Sequence, residues 1–299
     1  MGRLSRIQQQ SYLYDYLNLF PSLNLGYEIN KNKTLQLSYS KRINRPDFRD
    51  LLPFSNFSDS RNYFQGNPNL NPEYTHAFET GYLVNWRNGS ILSSAYYRYR
   101  IGDVQEVVQI ENDSTTRIFP INLGTTNAYG LEFNFSYTIG KWWDINSSAN
   151  FFRAITEGSY EGEDLSRDTY AVHTRTTSKM TISKDFEFQT SFFYRGPRQT
   201  TQGRQLASYS LDLALAKDIL KGKGTISANV RDLLNTRKRR SITEIEEENY
   251  YAESTSQWAP RQIRLTFTYR LNQMKNRERN GRGGDEGNEG GNNEGPDDF

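Results

Sequence analysis

The sequence contains no cysteine in 299 residues, which excludes a disulfide framework and any thiolate metal site. Histidine is almost as scarce. His76 and His173 stand alone, without the paired His, Asp or Glu spacing that coordination requires, so no metal site is expected. No window approaches the roughly 18 consecutive apolar residues of a membrane helix, and MGRLSRIQQQ at the start lacks the apolar core of a signal peptide. Net charge is nearly absent too: 37 basic and 35 acidic side chains leave +2, which gives no electrostatic argument for a nucleic-acid partner. GxSxG, HExxH and phosphate-loop patterns are missing, as is any nucleophile with a plausible base. The sequence therefore points to neither an enzyme nor a cofactor protein.

What it has is alternation. In RQIRLTFTYRL, Ile263, Leu265, Phe267, Tyr269 and Leu271 fall on one face and Gln262, Arg264, Thr266, Thr268 and Arg270 on the other. Period two marks a strand with one apolar and one polar face. YGLEFNFSYTI, YSLDLALAK and FEFQTSFFYR repeat the pattern. The periodicity predicts strands at about 17–29, 34–42, 74–86, 90–102, 127–139, 144–156, 169–183, 186–197, 206–217, 224–235 and 261–271. Most exceed the usual strand of about 5 to 6 residues and meet the roughly 9 to 11 that a tilted strand needs to cross a bilayer.

Connection lengths alternate as well. Short turns at 30–33, 87–89, 140–143, 184–185 and 218–223 interleave with polar connections at 43–73, 103–126, 157–168, 198–205 and 236–260. That is the up-and-down pattern of an outer-membrane barrel, with brief periplasmic turns and long external loops. A soluble β-sandwich also alternates, but its strands are shorter and its connections include Greek-key crossings. Aromatic residues collect toward strand ends, among them Tyr74, Trp86, Tyr97, Tyr129, Tyr137, Trp142, Trp143, Tyr209 and Tyr269, as interfacial girdles require. The expected fold is thus all-β, an antiparallel up-and-down transmembrane β-barrel.

Energetics choose the lipid face. A one-residue slip in the last strand would present Arg264 to the bilayer, where a midplane arginine costs about 2 to 4 kcal/mol. The apolar face points outward. The polar face then lines the lumen and carries Glu79, Arg98, Arg100, Glu132, Asp212, Arg231 and Arg264. Such charges either pair across neighbouring strands or contact a ligand, and both remain open at this stage. RKRR at 237–240, followed by Glu244 and 246–248, reads as a solvated, self-pairing external loop.

The stretch FQGNPNLNPE at 64–73 is a boundary, because Pro68 and Pro72 bar helix or central strand there. Gln65, Gly66, Asn67, Pro68, Asn69, Leu70, Pro72 and Glu73 make up its motif, with Leu70 expected to pack against the barrel rim. FPSLNLGYEINKNKTLQLSYSKRINRPDFRDLLPF and NYFQGNPNLNPEYTHAFETGY resemble the barrel of TonB-dependent receptors, in the outer-membrane β-barrel family with an N-terminal carboxypeptidase-regulatory-like domain. TNAYGLEFNF at 126–135 and ANVRDLLN at 228–235 are similar to it also.

The resemblance implies a 22-stranded barrel of a Gram-negative outer membrane, closed by a plug and energised through TonB. The partners it implies are outer-membrane lipid, the plug, TonB and an unknown small solute, with a surface lipoprotein as a further candidate. The function implied is uptake of a scarce solute; the alternative is a surface-binding or adhesion barrel without transport. Eleven strands is an odd number where single-chain barrels are normally even, so the expectation is a carboxyl-terminal part of a longer barrel. On that reading 1–16 belong to an external loop or truncated strand, 17–271 to the barrel, and 272–299 to a disordered periplasmic tail.

Overall fold

The computed structural model describes residues 18–53, 55–56, 61–112 and 115–271. Its backbone is a path of eleven strands, each antiparallel to its neighbour in chain order. They are β1 (Ser22–Asn30), β2 (Lys33–Asn44), β3 (Glu73–Trp86), β4 (Gly89–Asn112), β5 (Thr115–Ile139) and β6 (Trp143–Tyr160), followed by β7 (Arg167–Ser183), β8 (Phe186–Arg195), β9 (Ser208–Ile219), β10 (Gly224–Arg231) and β11 (Gln262–Tyr269). All eleven strands expected from periodicity are present. The barrel is partial: among the described residues β1 pairs only with β2 and β11 only with β10, and both are exposed along their length. The expected segments 1–16 and 272–299 lie outside the described residues.

The turn side is tight, as the sequence implied. At the β1–β2 turn the Asn30 side chain accepts the Asn32 amide at 2.9 Å, a local bond that offsets the break in the ladder. Gly140 closes the β5–β6 turn at φ +62°, a left-handed geometry that suits glycine.

The opposite side differs from expectation. The polar connection at 103–126 is not a loop over most of its length; β4 and β5 continue through it as a paired hairpin. A bulge at Gly102 (φ +71°) and Asp103 shifts the register there, so the alternation changes phase and no longer reads as one strand. The hairpin carries its own apolar cluster of Val107, Phe119, Ile121, Leu123 and Leu165, with Tyr160 set edge-on to Phe119 at 5.5 Å. Connections 198–205 and 236–260 also form strands: Arg198–Thr200, Gly203–Gln205, Arg239–Ile245 and Tyr250–Ser256 join in a separate four-stranded sheet. Cross-strand partners from distant loops stabilise these segments, and no single-segment pattern reveals such pairing.

The outer face of the eleven strands is fit for lipid. Leu131, Phe151, Leu215, Ile226, Leu265 and Phe267 are all exposed on it. Trp86, Phe135 and Tyr137 cluster near the turns, with Trp142 against Trp143 at 5.6 Å. At the other end of the same face Arg153 bonds Asp168 and Tyr129, and lies over the Tyr170 ring. Arg153 stands ten residues beyond Trp143 on β6, about 33 Å along a strand, or about 25 Å of depth at a tilt of about 40°. That depth equals the apolar band of an outer-membrane barrel.

The inner face is less uniformly polar than expected. Tyr96, Ala128, Phe152, Ala154 and Ala171 form a buried patch on it. Gly130 makes room for this patch, since a Cβ there would stand 2.8 Å from the Tyr96 hydroxyl. The hydroxyl donates to Asn150 at 3.0 Å.

Candidate functional site: the barrel mouth

Register carries Glu79, Arg98, Arg100, Glu132, Asp212, Arg231 and Arg264 onto one face of the sheet, the face that also holds Tyr96 and Phe152. It does not gather them into one site. Glu79, Arg98 and Arg100 share a cavity of about 210 Å³ with Ser38, Ser40 and Arg42. The Glu132 carboxylate accepts the Asn134 amide at 2.7 Å. Arg231 and Arg264 sit beside the open edge and are exposed.

Asp212 is committed elsewhere. It accepts the backbone N–H of Asp232 at 2.7 Å and the Arg237 guanidinium at 3.0 Å. Arg237 therefore pairs downward, onto Asp212 and the Ser210 hydroxyl, and not with the glutamates that follow it in sequence. Asp232, buried, in turn accepts the amides of Thr236 and Arg237 at 3.0 Å each. The ANVRDLLN stretch is thus a rim turn whose one carboxylate caps backbone donors.

FQGNPNLNPE is a rim fastening of the same kind. Leu70 is 1% exposed. The Asn67 side chain donates to the Pro120 carbonyl at 3.0 Å, tying the segment to β5. Asn122 then brackets Asn71, accepting its amide at 2.8 Å and donating to its carbonyl at 2.9 Å. Gly66 lies against the short helix Phe48–Leu51, where a Cβ would come within 2.7 Å of three carbonyl oxygens. Any larger residue would push this segment off the helix. Glu73 completes the join by accepting the Val104 amide at 2.6 Å and the Asn44 side chain at 2.7 Å. Burial pushes its carboxyl above the ordinary glutamate range, against the opposing pull of those donors and of Arg100.

Above this join opens a cavity of about 620 Å³ between the wall and the loop strands. Glu73, Arg100, Arg167, Arg198, Gln202 and Arg239 are among its lining residues. Asp103, wholly buried behind it, accepts Arg100 at 3.0 Å and the Thr126 hydroxyl at 2.7 Å. Arg167 reaches the same carboxylate only at 4.0 Å, and its Nη1 is buried without a hydrogen bond. Arg167, Arg198 and Asp103 were not singled out from sequence. Arg167 reads there as a loop residue before a strand, and only register shows its neighbours.

The two histidines take no part in the mouth. The Tyr39 hydroxyl and His76 Nδ1 share a hydrogen bond of 3.0 Å, and His173 lies edge-on to Phe152 at 5.3 Å. Among the described residues no cluster of His, Asp or Glu is arranged to hold a metal ion.

A family model described as "Outer membrane protein beta-barrel family" matches residues 3–269. No curated protein matches the chain. Among solved structures, the ferric enterobactin receptor of Pseudomonas aeruginosa is similar at 12% identity and a TM-score of 0.55, covering 84% of this chain and 40% of that one. The copper transporter OprC gives 14% and 0.55, with 82% and 38% covered. The ferric yersiniabactin uptake receptor of Yersinia pestis gives 14% and 0.55, with 83% and 36% covered. The chain spans about two-fifths of the length of these structures.

Proposed function

Because the chain belongs to the outer membrane protein beta-barrel family, we propose that it is the wall and mouth of an outer-membrane receptor that takes up a small, scarce solute. No covalent chemistry is part of this role. Solute is captured at the mouth cavity and passed inward, with release driven by TonB acting through a plug domain, the arrangement that the sequence resemblance implies. The observation that carries the reading is the pairing of two faces. A lipid-compatible outer face is bounded by two polar-aromatic girdles, and the opposite face opens on the 620 Å³ cavity at the external end. The similar folds of a ferric enterobactin receptor and a copper transporter support it at the level of architecture.

The same topology supports the proposed domain layout. Residues 17–271 make the wall, and β11 ends level with Gly224 on the turn side, which supports a periplasmic position for the tail. A surface lipoprotein would meet the loop strands. The cell would be a Gram-negative bacterium.

Uptake tests the reading. A gene deletion should remove accumulation of at least one labelled solute, with transport restored by the full gene and abolished by loss of the proton gradient. Unchanged uptake of ferric chelates, copper, cobalamin, glycans and peptides would leave the non-transporting adhesion barrel instead.

A further inference from the structure

Charges of both signs line the mouth cavity. Its carboxylates are those of Asp47, Asp50, Glu73 and Glu106. Its guanidinium groups belong to Arg45, Arg100, Arg167, Arg198 and Arg239. Several are committed within the protein: Glu73 to Val104 and Asn44, Arg100 to Asp103, and Arg198 to the Gln205 side chain at 3.0 Å. Two carboxylates are not. Asp47 holds the N-cap position of the helix Phe48–Leu51 without making a side-chain cap bond, and among the described residues neither it nor Asp50 joins an ion pair. Burial pushes the Asp50 carboxyl above the ordinary aspartate range, the neighbouring Asp47 charge adds to the rise, and Arg49, which lies over the Phe64 ring, opposes with a smaller effect.

Arg167 is their counterpart on the wall. Its side chain is 11% exposed, one nitrogen stands 4.0 Å from Asp103, and Nη1 is buried without a hydrogen bond. A buried donor left without an acceptor is costly. Neither side closes on the other, because both are fixed to the frame. The Asn67 amide donates to the Asp50 carbonyl at 2.6 Å, and Gly66 packs against the helix; Arg167 sits in register with Thr156 on β6. Such a cavity selects by charge. A purely anionic solute meets Asp47 and Asp50, a purely cationic one meets the arginines, and each contact is repulsive. A molecule with one positive and one negative end satisfies both sides.

We propose that the mouth cavity binds a zwitterionic solute, a short peptide with both termini free, its ammonium group held by Asp47 and Asp50 and its carboxylate by Arg167. The planar guanidinium matches a carboxylate in geometry as well as charge. Ser241, Thr243 and Ser254 of the loop sheet line the same cavity and offer hydroxyls to the peptide amides. This inference rests on the receptor reading and names the solute class for it. A receptor that takes up a solute of another class would contradict the inference alone, leaving uptake itself intact.

The test is direct binding to the full chain folded in detergent, with titration calorimetry as readout and three probes: trialanine, its N-acetyl form and its C-terminal amide. Trialanine should bind saturably and more weakly with added salt, and each blocked form should bind about tenfold or more weakly than the free peptide. Replacing both Asp47 and Asp50 with asparagine should make free and N-acetylated peptide bind alike while the amide is still disfavoured. Arg167→Gln should do the reverse, and Arg167→Lys should keep part of the preference for the free acid. Heat-modifiable migration on a gel confirms that each variant is folded, and the ratio of affinities within one variant does not depend on how much of it folds, so a disturbed rim leaves the test valid. Absence of saturable trialanine binding up to about 10 mM, blocked forms that bind as tightly as the free peptide, or ratios unchanged in both sets of variants would overturn the proposal.

Discussion

Asn122 grips Asn71 from both sides, its Oδ1 accepting the Asn71 amide at 2.8 Å and its Nδ2 donating to the Asn71 carbonyl at 2.9 Å. The same Nδ2 also reaches the Gly102 carbonyl at 2.8 Å, so one side chain joins the external connection, the bulge and β5. Asn122→Leu leaves those backbone groups without partners, at a local cost of about 1 to 3 kcal/mol. The expected outcome is faster proteolytic nicking within 45–72, while heat-modifiable migration shows the wall still folded.

Leu70 anchors the same segment by burial. Leu70→Ala should cost about 2 to 5 kcal/mol locally, and replacing Pro68 and Pro72 with alanine should loosen the segment by widening its unfolded ensemble. Hydrogen exchange of amides 64–73 reads both effects. Loss of barrel assembly in either variant would show that the segment directs folding and is more than a rim fastening.

The two faces of β5 predict opposite responses to one substitution. Phe133, edge-on to Phe151 at 6.4 Å on the lipid side, sits near mid-depth, so Phe133→Arg should cost about 2 to 4 kcal/mol. Asn134→Arg, one residue along and facing the lumen beside Glu132, should be tolerated. Urea titration of the folded fraction compares them, and equal losses would mean the faces are assigned wrongly.

Glu73 gives the rim a pH dependence whose sign can be worked out. Its folded-state carboxyl is raised above the ordinary value by burial, so between those two values the fastened rim binds more protons than the unfastened one. The join strengthens as pH falls through that window and weakens as pH rises through the raised value. Glu73→Gln should flatten the profile, measured as protease sensitivity of 45–72 between about pH 4 and 8.

The wall was legible in the sequence because lipid and lumen impose period two with little interference. Ile263 through Leu271 and Tyr129 through Ile139 show both faces without a break. The hairpin extension was not legible. At Gly102 and Asp103 one inserted residue reverses which side chains face inward, and Val107 and Phe119 then read as scattered apolar residues in a polar loop. The mouth was hidden for a different reason. Arg100, Arg167 and Arg198 lie far apart in the chain and reach one cavity only through successive strand pairings, so no local window contains them. The motifs that carry the family resemblance, NPNLNPE and VRDLLN, fasten the rim; of their residues only Glu73 lines the cavity, which otherwise draws on other segments.

The ten-residue interval between Trp143 and Arg153 acts as a ruler for the bilayer itself. A hydrocarbon layer thicker than about 25 Å would draw the Arg153–Asp168 pair and its tyrosines into lipid, while a thinner one would leave Phe151 and Leu131 in water. Each ångström of such mismatch costs a fraction of a kcal/mol, and every strand of the wall feels it. The wall is therefore sorted to a thin membrane by its own dimensions, before any receptor, partner or targeting signal reads it.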